Sequence, residues 1–176
     1  VLEAKKLTDL SRVILTYTIA DESISELPFD VIQASSARIH AIDNEGRMVG
    51  SMGKNNDHRS YGMVYKIGDD APRLFGSDIK EGPWYYQTFE FTDIGKDGRL
   101  VGMVGRDQEQ WGGTNYRAFT VNLDFTGFED ITPNNTSESG HAEARAINNM
   151  GLIIGNGELR RRGPNGTFRH VFVVQK

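Results

Sequence analysis

Residue types able to do chemistry gather in a few polar stretches of this chain. Trp84, Tyr85 and Tyr86 close the segment 78–86, and Trp111 stands in Asp107-Gln-Glu-Gln-Trp-Gly-Gly-Thr114. Aromatics in polar surroundings are suited to sugar rings and peptide side chains, because the flat face stacks while polar edges take hydrogen bonds. The same rings also suit burial between packed sheets or at an oligomer seam, the commoner fate of large aromatics. Arg160, Arg161 and Arg162 form a run whose planar forks fit carboxylate or phosphate. Such a run more often only solvates a loop.

Titratable candidates are sparse. His58 and His141 are the two histidines placed to act as ligands or bases at a common mouth. The four histidines of the chain include no His-x-x-x-His pair, so no metal site and no cofactor is expected. The stretch Asp93-Ile-Gly-Lys-Asp-Gly98 has the oxygen donors of a calcium loop, but position 104, where the bidentate Glu would fall, is Val. A plain hairpin is the better account. Glycoside hydrolysis would need two carboxylates about 5–10 Å apart. Asp78, Glu81, Glu138 and Glu143 fall in polar stretches, yet nothing in the sequence pairs them.

The elements that must carry these residues are written in a repeated glycine phrase. It reads Ile42-Asp-Asn-Glu-Gly46-Arg-Met-Val-Gly50, then Ile94-Gly-Lys-Asp-Gly98-Arg-Leu-Val-Gly102, then Ile147-Asn-Asn-Met-Gly151-Leu-Ile-Ile-Gly155. The lead glycines lie 52 and 53 residues apart, and a fixed period of this size marks a repeat architecture. Each phrase follows a short strand and supplies a tight turn with a left-handed glycine. Next comes a strand punctuated by glycines that imply close packing. A third strand opens on an aromatic: Tyr61–Ile67, Tyr116–Val121 and Phe168–Val173. A weaker fourth strand follows near Phe75 and near Ile131.

A four-stranded antiparallel meander repeated at this period predicts an all-β, β-propeller-like fold. Residues 1–176 read as one repeat domain, with units 11–36 (partial), 37–88, 89–143 and 144–176 (partial). About three and a half blades per chain leave open edges, to be closed by homo-oligomerisation or by a longer array. Residues 12–19 and 24–27 read as third and fourth strands of a preceding unit, while Leu2–Leu7 carries a short helical signal.

The phrase Ala144-Arg-Ala-Ile-Asn-Asn-Met-Gly-Leu-Ile-Ile-Gly155, followed by Phe168-Arg-His-Val-Phe172, resembles the HAF-type extracellular repeats of bacteria. The Ala-Phe element of that family stands here as Ala118-Phe119. The first repeat departs from the family with Asp43 in place of Asn, and the second with Gly95. The resemblance loosely covers residues 37–176 and implies an exported, propeller-like repeat protein without an assigned activity. It transfers no catalytic residue.

Composition is compatible with this. A net charge of −4 argues against a general nucleic-acid or anionic-membrane surface, and no apolar run reaches the span of a bilayer. The absence of cysteine removes disulfides, thiolate metal sites and cysteine nucleophiles. The chain opens on Val1 rather than Met, so the expected location is extracellular or periplasmic with a signal segment removed.

In a meander, the second-to-third and fourth-to-first connections leave from one end. Those connections read here as long and polar (54–59, 107–114, 158–166, 78–86 and 133–141), so binding is expected at that end. The leading expectation is a non-catalytic module binding a protein or carbohydrate partner there. A polysaccharide-active enzyme using loop carboxylates, and a purely structural piece of a cell-surface array, are the alternatives.

Overall fold

The computed structural model describes residues 2–5, 12–18, 23–26, 34–54, 59–76, 86–108, 113–134, 141–160 and 167–175. Every regular element among them is a strand. An N-terminal antiparallel sheet holds β1 (Leu2–Lys5), β2 (Arg12–Thr18) and β3 (Ser23–Glu26). A first meander holds β4 (Ala34–Ile42), β5 (Arg47–Lys54), β6 (Ser60–Lys66) and β7 (Arg73–Phe75). The second holds β8 (Tyr86–Ile94), β9 (Arg99–Gln108), β10 (Gly113–Asn122) and β11 (Glu129–Asp130). The third holds β12 (Ala142–Ile147), β13 (Leu152–Arg160) and β14 (Thr167–Gln175).

The all-β class and the meander order therefore stand. A lone parallel bridge, Ser60 to Thr88, joins the first two meanders into one eight-stranded sheet, and the third is a separate sheet. The eight-stranded sheet runs β11-β10-β9-β8-β6-β5-β4 with β7 branching from β6, and no sheet closes on itself among the described residues.

The turn reading is realised three times over with the same bonds. Asp43, Gly95 and Asn148 each donate N–H to the carbonyl of the residue four ahead and accept the N–H of the residue three ahead. The accepted N–H belongs to Gly46, Gly98 or Gly151, whose φ values of 72°, 81° and 76° suit glycine best. Asp43 and Asn148 add a second device, since each side-chain Oδ1 accepts two backbone N–H groups of its own turn.

The second glycine of each phrase answers a different need. The register slips by one residue in each first strand, leaving His40, Thr92 and Arg145 as bulged residues. The preceding strand then crowds its neighbour. A Cβ on Gly50 would sit 1.8 Å from the Arg38 carbonyl oxygen, and one on Gly102 1.9 Å from that of Glu90. A bulge re-aims the side chain it carries, which matters for the site below.

Alternation puts Phe89 and Phe91 on one face of the second meander, with Leu100, Val104, Phe119 and Val121. They pack against Val49, Val64 and Phe75 of the first. Phe75 anchors this layer, its ring centroid 5.1 Å from Phe89, 5.2 Å from Phe125 and 5.7 Å from Phe91. The opposite face of the second meander presents Val101, Ala118 and Ile131 to Ala142, Ala144, Ile147 and Ile153 of the third. The second meander is thus covered on both faces.

Several expectations are corrected. Residues 2–5 form a strand paired with β2 rather than part of a helix; so short a segment cannot repay helix nucleation, whereas a neighbouring strand satisfies its backbone at once. The ladder reaches into both segments, pairing Asp107 and Gln108 with Thr114 and Gly113, and Glu158 to Arg160 with Arg169 to Thr167. Once two strands are in register, each added residue gains ladder bonds, so these hairpins outrun their apolar cores. For the same reason Tyr86 begins β8, Arg160 ends β13 and Glu143 lies within β12, although all three read as loop residues.

Candidate functional site

Each bulged residue makes a polar contact. His40 Nε2 lies 2.7 Å from Glu90 Oε1, so the bulged residue of the first meander meets the first strand of the second. Thr92 repeats the relationship one meander on, its hydroxyl 2.7 Å from the Ala144 carbonyl oxygen. Asp93 beside it accepts N–H from its neighbour Ile94 and from Ile147, both at 2.9 Å. The third bulged residue, Arg145, pairs with Glu143 of its own strand.

The His40 hydrogen bond does most to hold the Glu90 carboxyl below the usual carboxylate range. Burial opposes this, and the charges of His40, Arg38 and Arg145 assist it. Arg145 therefore belongs both to this seam and to the cavity next to it.

That cavity is a cleft of about 440 Å³ between the second and third meanders. Met103 and Tyr116 line it from one side, and His141, Glu143, Arg145, Asn156, Gly157, Glu158 and Arg169 from the other. Its volume falls in the range of small-ligand sites. Glu143 and Arg145 are two apart on β12 and so share the cleft face, with the bulge intervening. Met103 and Tyr116 come from neighbouring strands of the paired hairpin β9–β10.

His141 is fixed at the rim. Its backbone N–H donates to Glu158 Oε2 at 3.4 Å, and the Glu158 N–H donates to its carbonyl at 2.8 Å. Its Nδ1 accepts the Tyr116 N–H at 3.4 Å, and the two rings lie 5.3 Å apart. With Nδ1 used as an acceptor, the neutral ring carries its proton on Nε2 and offers a donor there. Glu158 also faces Arg169 at 3.9 Å. The cleft therefore alternates carboxylate acceptors with guanidinium, imidazole and amide donors beside an aromatic face.

Of the residues expected from sequence to bind, His141 is the one the structure brings to this cleft. Trp84, Tyr85, Trp111, His58, Arg161 and Arg162 lie outside the described residues. The backbones of Tyr86 and Arg160 are placed in strands, but their side chains also lie outside what is described. Asp78, Glu81 and Glu138 are outside it as well, leaving Glu143 as the one described carboxylate of that set.

Sequence reasoning missed Arg145, Arg169, Asn156 and Met103 because it searched loops, whereas these residues sit on strands; Glu158 reads as the first residue of a loop but lies within β13. The usable signal was the aromatic that opens each third strand, since Tyr116 holds that position. The Asp93–Gly98 stretch is a hairpin whose carboxylates accept backbone N–H groups, from Ile94 and Ile147 at Asp93 and from Arg99 at Asp97. Among the described residues no group of three or more His, Asp and Glu is placed to hold a metal ion. Nor is any helix long and apolar enough to cross a membrane.

No protein-family model matches this chain, and no curated protein matches it.

Proposed function

We propose that this chain is a non-catalytic, exported, β-propeller-like repeat module that binds a carbohydrate in the cleft between its second and third meanders. The observation that carries the reading is the cleft itself, with Glu143, Arg145, His141, Asn156, Glu158 and Arg169 around the Tyr116 ring. Sugar hydroxyls both donate and accept, so they are matched by alternating fixed donors and acceptors. A neighbouring aromatic face adds stacking. The cleft also lies toward the end of the sheets from which the long connections leave, where a rigid scaffold displays its variable segments. The resemblance to HAF-type repeats supports export and propeller-like stacking. Ring closure by further chain or by a second copy is part of the same proposal.

A second reading rests on Glu143 and Glu158 sharing the cleft, as two hydrolytic carboxylates would. Binding is favoured because both face an arginine, Arg145 and Arg169. That arrangement suits hydrogen-bond acceptance, whereas a general acid needs surroundings that favour its neutral form.

A panel of neutral and acidic oligosaccharides titrated against the intact chain tests the proposal. Saturable binding is expected, weakened about tenfold or more by Glu158→Ala and by Tyr116→Ala, as loss of a charge-assisted hydrogen bond would give. Absence of binding across the panel, or affinity indifferent to both substitutions, would sink it. Release of new reducing ends during the titration would replace it with the hydrolytic reading.

A further inference from the structure

The two ion pairs of the cleft are lopsided in the same sense. Glu143 accepts a hydrogen bond from Arg145 Nη2, and the Arg145 side chain is 55% exposed against 24% for Glu143. Glu158 is likewise the recessed member of its pair with Arg169. Its Oε2 accepts the His141 N–H, and its Oε1 lies 3.9 Å from Arg169 Nε, longer than a hydrogen bond. The carboxylates therefore form the back of the cleft and the guanidiniums its front. Arg145 stands between the second and third meanders, since its charge also acts on Glu90 of β8.

A guanidinium carries five N–H donors in a planar fork. Glu143 takes one from Arg145, and Glu158 is too distant to take the Nε–H of Arg169. Each pair is neutral as a whole, but a group inside the cleft meets its positive end first. Coulomb energy falls as the inverse of distance. An anion about 4 Å from a guanidinium and about 8 Å from the carboxylate behind it is attracted about twice as strongly as it is repelled. This field is local, because the chain carries a net charge of −4 and does not draw in polyanions generally.

Resting on the carbohydrate reading, we propose that the saccharide taken by this cleft is acidic, a uronic-acid residue whose carboxylate accepts from the Arg145 and Arg169 forks. A planar two-oxygen acceptor matches a planar fork with two parallel hydrogen bonds. The sugar ring then has Tyr116 for stacking. Its hydroxyls have the recessed Glu143 and Glu158, because each carboxylate oxygen can accept more than once. An amino sugar would set its ammonium against the same guanidiniums. A neutral sugar would leave both forks to water and gain less.

Short oligomers of galacturonate, glucuronate and mannuronate, each beside its own methyl ester, are titrated calorimetrically into the intact chain. A neutral glucose oligomer and a sulfated one serve as references. At least one uronate should bind about tenfold or more tighter than its ester, the loss expected when a charge-assisted contact is removed. That comparison requires no change to the protein. Arg145→Gln and Arg169→Gln should each move the acid-to-ester ratio toward one, and Arg145→Lys should recover little of it, because an ammonium has no fork. Esters or the neutral oligomer binding as tightly as the acids overturn the acidic assignment and leave the carbohydrate reading standing. So does an acid preference unchanged in both glutamine variants. Tighter binding of the sulfated oligomer than of every uronate overturns the assignment by replacing the carboxylate. Absence of binding across all these saccharides removes both readings.

Discussion

His40 and Glu90, 2.7 Å apart, join the bulge of the first meander to the first strand of the second. Fifty residues separate them in the chain; His40 is carried to the contact by the slip of register that recurs at Thr92 and Arg145, whereas Glu90 lies in regular register opposite Met103.

This pairing predicts an acid limb in stability. A carboxyl held low in the folded state contributes stability that is complete above its unfolded value near 4.5 and is lost as pH falls through the lower folded value. The urea midpoint should therefore be level on Glu90's account down to that unfolded value and then drop. Glu90→Gln should remove this step, and His40→Ala should cost about 1 kcal/mol at neutral pH, discounted for the partial exposure of the pair. An acid limb unchanged in Glu90→Gln would contradict the assignment.

The two glycines of one phrase should fail differently. Gly98→Ala places a side chain at φ 81° with ordinary contacts, a strain of about 1–2 kcal/mol. Gly102→Ala drives a Cβ to 1.9 Å from the Glu90 carbonyl oxygen, which forces backbone apart and should cost about 3 kcal/mol or more. Chemical denaturation orders the two, and a Gly102→Ala protein at least as stable as Gly98→Ala would show that the close approach is not real.

Phe75 lies on a strand of only three residues yet touches a cluster of five phenylalanine rings. Phe75→Ala should cost about 3–5 kcal/mol, the usual range for a buried phenylalanine. Because that layer is on the far face of the second meander from the cleft, ligand affinity measured well below the melting temperature should not change. A parallel loss of affinity would mean that the two faces are coupled.

Asp93 ties the second meander to the third through Ile147 N–H. Asp93→Ala should lose about 2 kcal/mol, as for hydrogen bonds to a charged acceptor. Amide exchange at Ile147 should quicken more than at Phe89 or Phe91, while Asp93→Asn should recover part of the loss. Uniform acceleration across all three residues would place the effect in global unfolding instead.

Much of the architecture was legible in the chain because its signals are local. A left-handed turn residue, an alternating strand and an aromatic at the head of the third strand each act within a few positions. Repetition at a near-constant spacing made them mutually confirming. The short helical signal near Leu2 misled for the complementary reason, since its outcome depended on a partner strand, β2. The site was far less legible. His141 stands out in the sequence, but Glu143 and Glu158 read as loop residues, and the strand residues Arg145 and Arg169 carry no mark of their destination.

The sequence by itself determined the strand order, the three turns and the reason for each lead glycine, because backbone preference and period are properties of adjacent residues. Only the tertiary structure decided that Gly50, Gly102 and Gly155 make room for bulges, and that those bulges turn His40 toward Glu90 and give the cleft Arg145. Whether an alternating strand buries or exposes a given face depends on what packs against it. Val101 and Ile154 occupy equivalent places, yet one is buried under the third meander and the other is left open.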